Sequence, residues 1–338
     1  MGANAGATRT NEAGRRAIQV ATEAGFDETD CGKVAIISSE LATNLSRYAT
    51  GGEIHFVVHR GEQSFLDIFA IDRGPGMLDI PRCLTDGYST GGTSGTGLGA
   101  ARRMAHEFDV YSTPPTGTVV FARLVTGTPS AEKSRFTWGA VARPAPGEVV
   151  SGDAWSITED RGRLSIMMVD GLGHGPEAAA AAREAVEVFE DDPFRTLPAL
   201  FNLSHVRMQG TRGGAMAAAQ IDGAASKLQY VGVGNIAGHL RAVADANGRG
   251  LLSHNGTLGV RIRHTQEVSY ECPTDGLLVM HSDGLQSRWN FDNYPGLAVR
   301  HPAIIAAILY RDFTRGRDDV TVAAVRISSS MRTGHHAA

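Results

Sequence analysis

The chain has 338 residues, enough for two domains that each bury a core of their own. Its hydrophobic and charged fractions, 42% and 20%, are ordinary for a folded protein, and its formal net charge of −4 offers no basic field for nucleic acid or an anionic membrane. No apolar run approaches the roughly 20 residues that span a bilayer. The first ten residues lack the apolar centre of a signal peptide, so we expect a cytoplasmic protein with a frayed N-terminal end.

The first half of the chain predicts a domain that mixes helices and strands. Apolar periodicity and capping residues predict helices over about 12–24 and 29–48, strands over 53–59 and 64–71, a loop-rich stretch over 72–96, a helix over 97–107, and strands over 109–112 and 117–124. His55 and His59 share one face of the first strand, and we expect both to face solvent. The polar stretch 126–135 predicts a linker and a domain boundary.

The second half contains many short strands interrupted by clustered helices. This texture predicts a layered α+β domain over 136–327, because alternating parallel units would show one helix after each strand. The predicted strands are 136–142, 153–158, 164–169, 215–221, 227–233, 237–242, 276–282 and 320–327, and the predicted helices are 176–190, 196–208 and 302–313. We expect residues 328–338 to form a disordered tail.

The three cysteines, Cys31, Cys83 and Cys272, are far apart in sequence and form no C-x-x-C pair. Their number and spacing argue against a disulfide framework and against a zinc site, so we expect three reduced thiols.

Three segments of the first half have the chemistry of a nucleotide site. Glu40 and Asn44 lie four residues apart on one helix face, where an acid and an amide can orient a nucleophile and complete the shell of Mg²⁺. Asp72 ends a strand and opens Asp-Arg-Gly-Pro-Gly, and glycines at 91–99 run into a helix whose N-terminus can hold phosphates. Taken singly, these segments are more typical of a solvated helix face, a plain turn and an ordinary glycine loop.

In this order and spacing, the segments resemble the N box and the two glycine boxes of the GHKL ATPase and kinase superfamily. A Walker loop is excluded because the glycine run has no lysine. Within the superfamily, residues 11–125 resemble RsbT-type serine kinases through Glu40-Leu41-Ala42-Thr43-Asn44, Asp72-Arg73-Gly74-Pro75-Gly76, and the segments 86–90 and 103–108. The resemblance implies an α/β sandwich of the GHKL (Bergerat) type that binds ATP.

The same resemblance implies a role for individual residues. Glu40 would be the catalytic base, Asn44 a ligand of Mg²⁺ and Asp72 the partner of adenine. The glycines that would line the nucleotide are Gly74, Gly76, Gly95, Gly97 and Gly99. The implied substrate is a serine on a STAS-domain protein. Little chain precedes the first helix, so the strand that usually opens this fold is expected to be short or missing.

Four aspartates of the second half stand at strand ends or turns: Asp153, Asp170, Asp283 and Asp318. Gathering them is electrostatically costly without a cation, and hard carboxylate oxygens suit Mg²⁺ or Mn²⁺. Two such ions can activate water for in-line attack on phosphorus. Taken one by one, each aspartate is more typical of an ordinary turn, whereas the four together, two of them followed by glycine, favour a metal site.

As a set, the aspartates resemble the metal-dependent phosphatases of the SpoIIE/PPM type, and most closely the minimal RsbX-type enzymes. Other matching pieces are Arg212-Gly213-Gly214-Ala215, the stretch 230–235 and Asp318-Asp319-Val320-Thr321. The family implies an α-β-β-α sandwich. It implies that one ion is held by Asp153, Asp170 and the carbonyl of Gly171, and a second by Asp170, Asp283 and Asp318. Asp319 is the alternative to Asp318, and His174 is interpreted as a loop residue in preference to a proton donor.

Together, the two resemblances predict a bifunctional regulator that phosphorylates and dephosphorylates serine on STAS-domain proteins, and they imply a sigma-factor regulatory cascade as its setting. The alternative is a phosphatase whose N-terminal domain only senses ATP or binds a partner. The cofactors implied are ATP, Mg²⁺ and Mn²⁺.

Overall fold

The computed structural model describes residues 2–61, 63–85, 97–128, 134–245, 248–262, 265–273 and 275–332, with side chains described between 12 and 328. The described residues divide into two compact units. The N-terminal unit comprises those up to residue 128, and the C-terminal unit is Ser134–Arg332. None of the described helices combines the length and apolarity needed to cross a bilayer.

The N-terminal unit is a single antiparallel sheet with helices packed on one face. Its elements are α1 (Gly2–Glu23), α2 (Glu28–Tyr48), β1 (Glu53–His59), β2 (Phe65–Ile71), the short α3 (Ile80–Cys83), α4 (Gly97–Met104), β3 (Glu107–Ser112) and β4 (Thr118–Val125). The sheet order is β1-β2-β4-β3. Asp27 caps α2, with its side chain accepting a hydrogen bond from the amide of Asp30.

Alternation along the strands places every second side chain against the helices. Leu66 and Ile68 of β2 and Val120 of β4 pack there against Val34 and Ile37 of α2, and all five are buried. This layer fixes α2, the helix that carries Glu40 and Asn44, across the sheet. The opening strand is indeed missing from the described residues, which begin with a helix. That helix starts at Gly2, so the expectation of a frayed end up to residue 10 was wrong.

The prediction that His55 and His59 face solvent was also wrong. His55 is buried and His59 is partly buried, with 9% of its side chain exposed, on the sheet face opposite the helices. His59 Nε2 lies 3.1 Å from Asp67 Oδ2, and Asp67 in turn receives two hydrogen bonds from Arg123, at 2.6 and 2.8 Å. The alternation of polar and apolar residues in β1 is typical of a strand with one solvent-exposed face. The ion pair across β2 and β4 allows polar groups to be buried there instead.

The C-terminal unit contains two five-stranded sheets and the helices that cover them. Its elements are β5 (Ser134–Arg143), β6 (Asp153–Asp160), β7 (Arg163–Gly171), α5 (Pro176–Asp191), α6 (Leu197–Arg207), β8 (Gly214–Asp222), β9 (Lys227–Val233), β10 (Ala237–Ala242), β11 (Arg249–Gly250), β12 (Gly256–Thr257), β13 (Arg261–Ile262), β14 (Val268–Glu271), β15 (Gly276–His281), a 3-10 turn (Leu297–Val299), α7 (Pro302–Phe313) and β16 (Val320–Arg332). The two large sheets have the orders β11-β10-β15-β16-β5 and β14-β9-β8-β7-β6.

The two sheets pack face to face, and helices cover their outer faces. Leu164 and Ile166 of β7 meet Leu278 and Val325 of the other sheet in the central layer. The second face of β7 packs against α5 and α6, while α7 covers β5 and β16. At Gly139 of β5, an added Cβ would lie 2.4 Å from the Cβ of Ala303, so α7 approaches the strand too closely for any side chain. The α-β-β-α sandwich predicted from sequence is confirmed.

The last strand is longer than predicted. β16 continues to Arg332, which pairs with Ser134 after a register shift that follows Ile327. The disordered tail expected from residue 328 is therefore wrong for residues 328–332. Positions 134–135, assigned to the linker, likewise belong to β5. In both cases the pairing of β5 with β16 extends order into polar sequence that carries no apolar alternation.

Candidate active sites

In the N-terminal unit, Glu40 lies against the first turn of α4. Glu40 and Asn44 are one helical turn apart on α2, and both are partly buried. A Cβ added to Gly97 would lie 2.5 Å from Glu40 Oε2, so the carboxylate occupies the space that a side chain at residue 97 would need. Gly99, two residues further, is buried in α4. The N-terminus of α4, with its partial positive charge, therefore lies beside Glu40, the residue predicted to be the catalytic base.

Asp72 is held in a fixed orientation at the end of β2. Its Oδ1 accepts hydrogen bonds from the amides of Gly74, at 2.6 Å, and Thr118, at 3.2 Å. A Cβ added to Gly74 would lie 2.6 Å from the carbonyl oxygen of Tyr48, so the turn passes directly against the end of α2. The contact brings Asp72 to the end of the helix that carries Asn44.

Gly76 requires glycine for its backbone as well as for space. Its φ is +75°, in the left-handed region, and an added Cβ would lie 3.0 Å from the nitrogen of Pro114. Gly95 and the remainder of 86–96 lie outside the described residues. The predicted nucleotide contacts of Gly95 therefore stay a prediction.

In the C-terminal unit, Asp153 and Asp170 are directly opposite partners of β6 and β7. Asp153 is buried, and its Oδ2 accepts a 2.6 Å hydrogen bond from the Ser282 hydroxyl. Oδ1 is buried without a hydrogen bond of good geometry, although the nearby Thr321 hydroxyl lowers the pKa somewhat. Burial, followed by the charge of Asp170, raises the pKa of Asp153 well above its usual value.

Asn235 joins Asp170 to Asp283. Its amide Nδ2 donates to Asp170 Oδ2 at 3.2 Å and to Asp283 Oδ2 at 2.8 Å. Burial and the repulsion from Asp283, with smaller contributions from Asp318 and Asp319, raise the pKa of Asp170 to about 7, and the amide of Asn235 opposes the shift. The four aspartates predicted from sequence are thus close enough to act on one another electrostatically.

Asp318 and its neighbour Asp319 have different surroundings. Asp319 is buried, and its two oxygens accept hydrogen bonds from the amides of Ala145, at 2.7 Å, and Gly152, at 2.9 Å. Asp318 is partly exposed and accepts a single hydrogen bond, from the amide of Asp319. Asp319 therefore ties together two chain segments, while Asp318 is better placed to take a ligand.

Asp153, Asp170, Asp283 and Asp318 form an acidic cluster, and their carboxylate oxygens are the type of ligand that a hard divalent cation prefers. Among the described residues, no three carboxylate, imidazole or thiol groups already enclose one point at metal-binding distance. The amide of Asn235 stands between two of the carboxylates, whose charges repel each other. A buried carboxylate oxygen on Asp153 without a good donor, together with raised pKa values, indicates that a positive charge would compensate the cluster.

The loop after Asp170 is shaped by glycines. A Cβ added to Gly171 would lie 2.2 Å from the carbonyl oxygen of Ala178 in α5, so no other residue fits there. His174, in the same loop, is 60% exposed, and its Nδ1 lies 2.6 Å from Glu148 Oε1. Its pairing with Glu148 agrees with a loop residue and does not test a chemical role.

Sequence reasoning gave no role to Asn235 or Ser282. Asn235 was noted only as part of a family stretch, and Ser282 only as the residue before Asp283. Asn235 lies between β9 and β10, and Ser282 directly follows β15. Each donates a hydrogen bond to a carboxylate that is distant in sequence. The one local signal for Ser282 is its position: it is a polar residue between the end of a buried strand and Asp283.

The layered sandwich and its acidic cluster define a phosphatase domain, and comparison with known families agrees. The family described as "Stage II sporulation protein E (SpoIIE)" matches residues 160–328, half of the chain, and the protein belongs to this family. The N-terminal part is related to a different protein. Over 105 residues, it is 40% identical to the serine/threonine-protein kinase RsbT of Bacillus subtilis (strain 168), a match that covers 30% of this chain and 78% of RsbT.

Several solved structures are similar to this chain. One, described as "The bacterial stressosome: a modular system that has been adapted to control secondary messenger signaling", is 27% identical, with a TM-score of 0.52 over 56% of this chain and 99% of that one. The PP2C phosphatase domain of Bacillus subtilis SpoIIE, with a fragment of its regulatory domain, is 20% identical, with a TM-score of 0.51 over 94% and 92%. RsbX in complex with magnesium is 18% identical, with a TM-score of 0.50 over 60% and 99%. The last two likenesses show the fold alone.

Proposed function

We propose that the protein is a bifunctional cytoplasmic regulator that both phosphorylates and dephosphorylates serine on a STAS-domain protein, as part of a partner-switching cascade. The observation that carries the proposal is the coexistence of an RsbT-related region and a SpoIIE-family phosphatase domain in one chain. The likeness to a stressosome structure supports the choice of substrate class.

For the phosphatase, Asp153, Asp170, the carbonyl of Gly171, Asp283 and Asp318 would hold two Mg²⁺ or Mn²⁺ ions. When bound, such ions supply an activated water and neutralise charge on the phosphoryl group. In the overall hydrolysis, oxygen from water bonds to phosphorus, the bond from phosphorus to the serine oxygen breaks, and the serine oxygen takes a proton. Asn235 and Ser282 would orient the carboxylates through the hydrogen bonds that they donate.

For the kinase, Glu40 would accept the proton of the substrate serine hydroxyl. The serine oxygen would then bond to the γ-phosphorus of ATP while the bond to ADP breaks. Asn44 would complete the shell of Mg²⁺ and Asp72 would accept a hydrogen bond from adenine. The remaining contacts, to the nucleotide and its phosphates, would come from Gly74, Gly76, Gly95, Gly97 and Gly99. The contact between Glu40 and the first turn of α4 supports this assignment, because it places an acid where a helix N-terminus favours phosphate.

Phosphate transfer from labelled ATP to a STAS-domain protein tests both activities at once. We expect label to accumulate with an Asp170→Ala variant, which cannot remove it, and to be absent with Glu40→Ala. A Glu28→Ala variant, altered on the exposed start of the same helix, should behave like the wild type. Label that is unaffected by Glu40→Ala would contradict the kinase assignment and favour an N-terminal unit that only senses ATP or binds a partner.

The phosphatase is tested separately with a serine-phosphorylated STAS-domain protein. We expect Mn²⁺-dependent release of phosphate by the wild type and none by Asp170→Ala, with Mn²⁺ binding followed by calorimetry. Wild-type protein that neither binds Mn²⁺ nor releases phosphate would contradict the proposed hydrolysis.

A further inference from the structure

Arg212 lies beside the loop that follows Asp170. It lies two residues before the start of β8, whose Gly214 is paired with Gly171, the residue that follows Asp170. The pairing fixes the main chain of Arg212 beside the loop that leaves Asp170.

The guanidinium of Arg212 packs against that loop. A Cβ added to Gly173 would lie 2.8 Å from Arg212 Nη1, and Gly173 has a φ of +90°. The guanidinium thus occupies the space above a glycine only three residues beyond Asp170. Glycine at this position is required both for the backbone conformation and for the approach of the arginine.

In the structure the partner of Arg212 is Glu177, in the first turn of α5. The two side chains are 48% and 69% exposed, respectively. Because water screens such a pair, it adds little to stability and its partner can be exchanged at small cost. A phosphate group, with a charge of about −1.5 to −2 at pH 7, is a stronger partner than a single carboxylate.

The surrounding charges make a cation valuable at this place. Asp170 and Asp283 would repel an approaching phosphate wherever their charge is not fully neutralised. A guanidinium presents parallel N–H donors that match two oxygens of a phosphate, and it stays charged at all working pH values. We propose that Arg212 binds the phosphate of the phosphoserine substrate, exchanging Glu177 for it. This inference rests on the proposed phosphatase function.

Three variants of the full chain separate phosphate binding from a purely structural role. Arg212→Ala should lower kcat/KM for a phosphoserine STAS-domain protein by about 10- to 100-fold, which is the range seen when a charge-assisted contact is removed. It should also weaken inhibition by inorganic phosphate at least about 10-fold, while Mn²⁺ affinity from calorimetry stays unchanged. Arg212→Lys should recover part of the loss, because lysine keeps the positive charge but lacks the parallel N–H donors of the guanidinium.

Glu177→Gln gives the decisive contrast. If Arg212 only braces the loop through Glu177, this variant should lose activity as Arg212→Ala does. If Arg212 binds phosphate, the variant should keep its activity and be inhibited by phosphate equally or more strongly. Arg207→Ala is the matched control, since Arg207 is 47% exposed and paired with Glu184 and Glu187 on the neighbouring helix α5.

The possible failures are distinguishable. Active wild-type protein with unchanged KM and phosphate inhibition in Arg212→Ala would overturn the inference and leave the phosphatase function standing. Equal losses in Arg212→Ala and Glu177→Gln would also overturn it, in favour of a structural brace. Wild-type protein without Mn²⁺-dependent hydrolysis would overturn the proposed function and the inference with it. Thermal unfolding shows whether each variant is folded, and Arg212→Lys keeps the test valid if Arg212→Ala is not.

Discussion

Asp153 and Asp170 face each other across the β6–β7 pair, and burial together with the charge of Asp170 raises the pKa of Asp153. The pKa of Asp170 is raised in turn by burial and by the charge of Asp283. Two neighbouring carboxylates that are both largely removed from water disfavour the folded state once they ionise. A divalent cation would reverse this effect, because it would bind only the folded arrangement. The acidic cluster therefore lowers the stability of the metal-free protein, and a bound cation would compensate this loss.

The first prediction concerns Asp170→Asn. Without metal, at pH 8 and in a chelator, we expect this variant to be more stable than the wild type by at least about 1 kcal/mol, because one repelling charge is gone. Added Mn²⁺ should raise the melting temperature of the wild type and leave that of the variant unchanged. Asp191→Asn, at an exposed position on α5, is the control and should change neither. A metal-free variant less stable than the wild type would contradict a cluster under repulsion.

The second prediction concerns Asn235→Ala. Removing the amide frees Asp170 and Asp283 to move apart, so the carboxylates would have to be gathered when a cation binds. We expect Mn²⁺ affinity, measured by calorimetry, to fall about 10- to 100-fold, as is typical when a residue that orients metal ligands is lost. Asn202→Ala, on the exposed side of α6, should bind Mn²⁺ as the wild type does. Unchanged affinity in Asn235→Ala would mean that the hydrogen bonds of Asn235 do not organise the site.

The third prediction concerns the buried pair of Asp67 and Arg123. Burial alone would raise the pKa of Asp67, but the charge and hydrogen bonds of Arg123, helped by His59, hold it below its usual value. Arg123→Met leaves a buried carboxylate without its main partner and should cost about 3–5 kcal/mol. Hydrogen-exchange protection of β2 and β4 in the full chain measures the loss, with Arg47→Met as an exposed control.

The pH dependence of that loss has a definite sign. A depressed folded-state pKa contributes stability that is present above the unfolded value of about 3.9 and is lost as the pH falls through the folded value. In Arg123→Met, burial dominates and Asp67 protonates more readily, so the variant should regain protection relative to the wild type between pH 7 and 4. A difference that stays constant over this range would contradict the role of Asp67. The double variant Asp67→Asn/Arg123→Met should be more protected than Arg123→Met alone at pH 7.

The fourth prediction concerns Gly97→Ala. The new methyl group would meet Glu40 Oε2 at 2.5 Å, and since this is the tip of a flexible side chain, the carboxylate would move aside. We expect transfer from ATP to fall at least about 10-fold through misplacement of the base, with ATP affinity changing less than the rate does. Gly32→Ala on α2, where an added Cβ meets nothing within 4 Å, is the control. It should keep its activity and gain about 0.5–1 kcal/mol of helix stability.

The sequence predicted the parts of this molecule that depend on local pattern. Strand β1 and helix α7 begin and end where apolar periodicity placed them, and Asp170 and Asp283 adjoin buried strands as expected. What it missed depends on pairing between distant segments. The burial of His59 follows from an ion pair between β2 and β4, and the role of Asn235 follows from two carboxylates that lie 65 and 48 residues away in sequence. Contacts between residues so far apart in the chain cannot be recognised from the local sequence pattern.

The neighbouring residues Asp318 and Asp319 provide the last prediction, because the sequence favours Asp318 as the metal ligand and leaves Asp319 as the alternative. Asp319 accepts two backbone hydrogen bonds in a buried place, so Asp319→Asn should unfold at lower temperature, with a loss of about 1–3 kcal/mol. Asp318 accepts one local hydrogen bond and acts electrostatically on Asp170, so Asp318→Asn should remain as stable as the wild type without metal. Calorimetry should then show that Asp318→Asn binds one Mn²⁺ fewer than the wild type, while folded Asp319→Asn binds the full number. The opposite pattern, with stability lost at residue 318 and Mn²⁺ stoichiometry lost at residue 319, would transfer the metal-ligand role to Asp319.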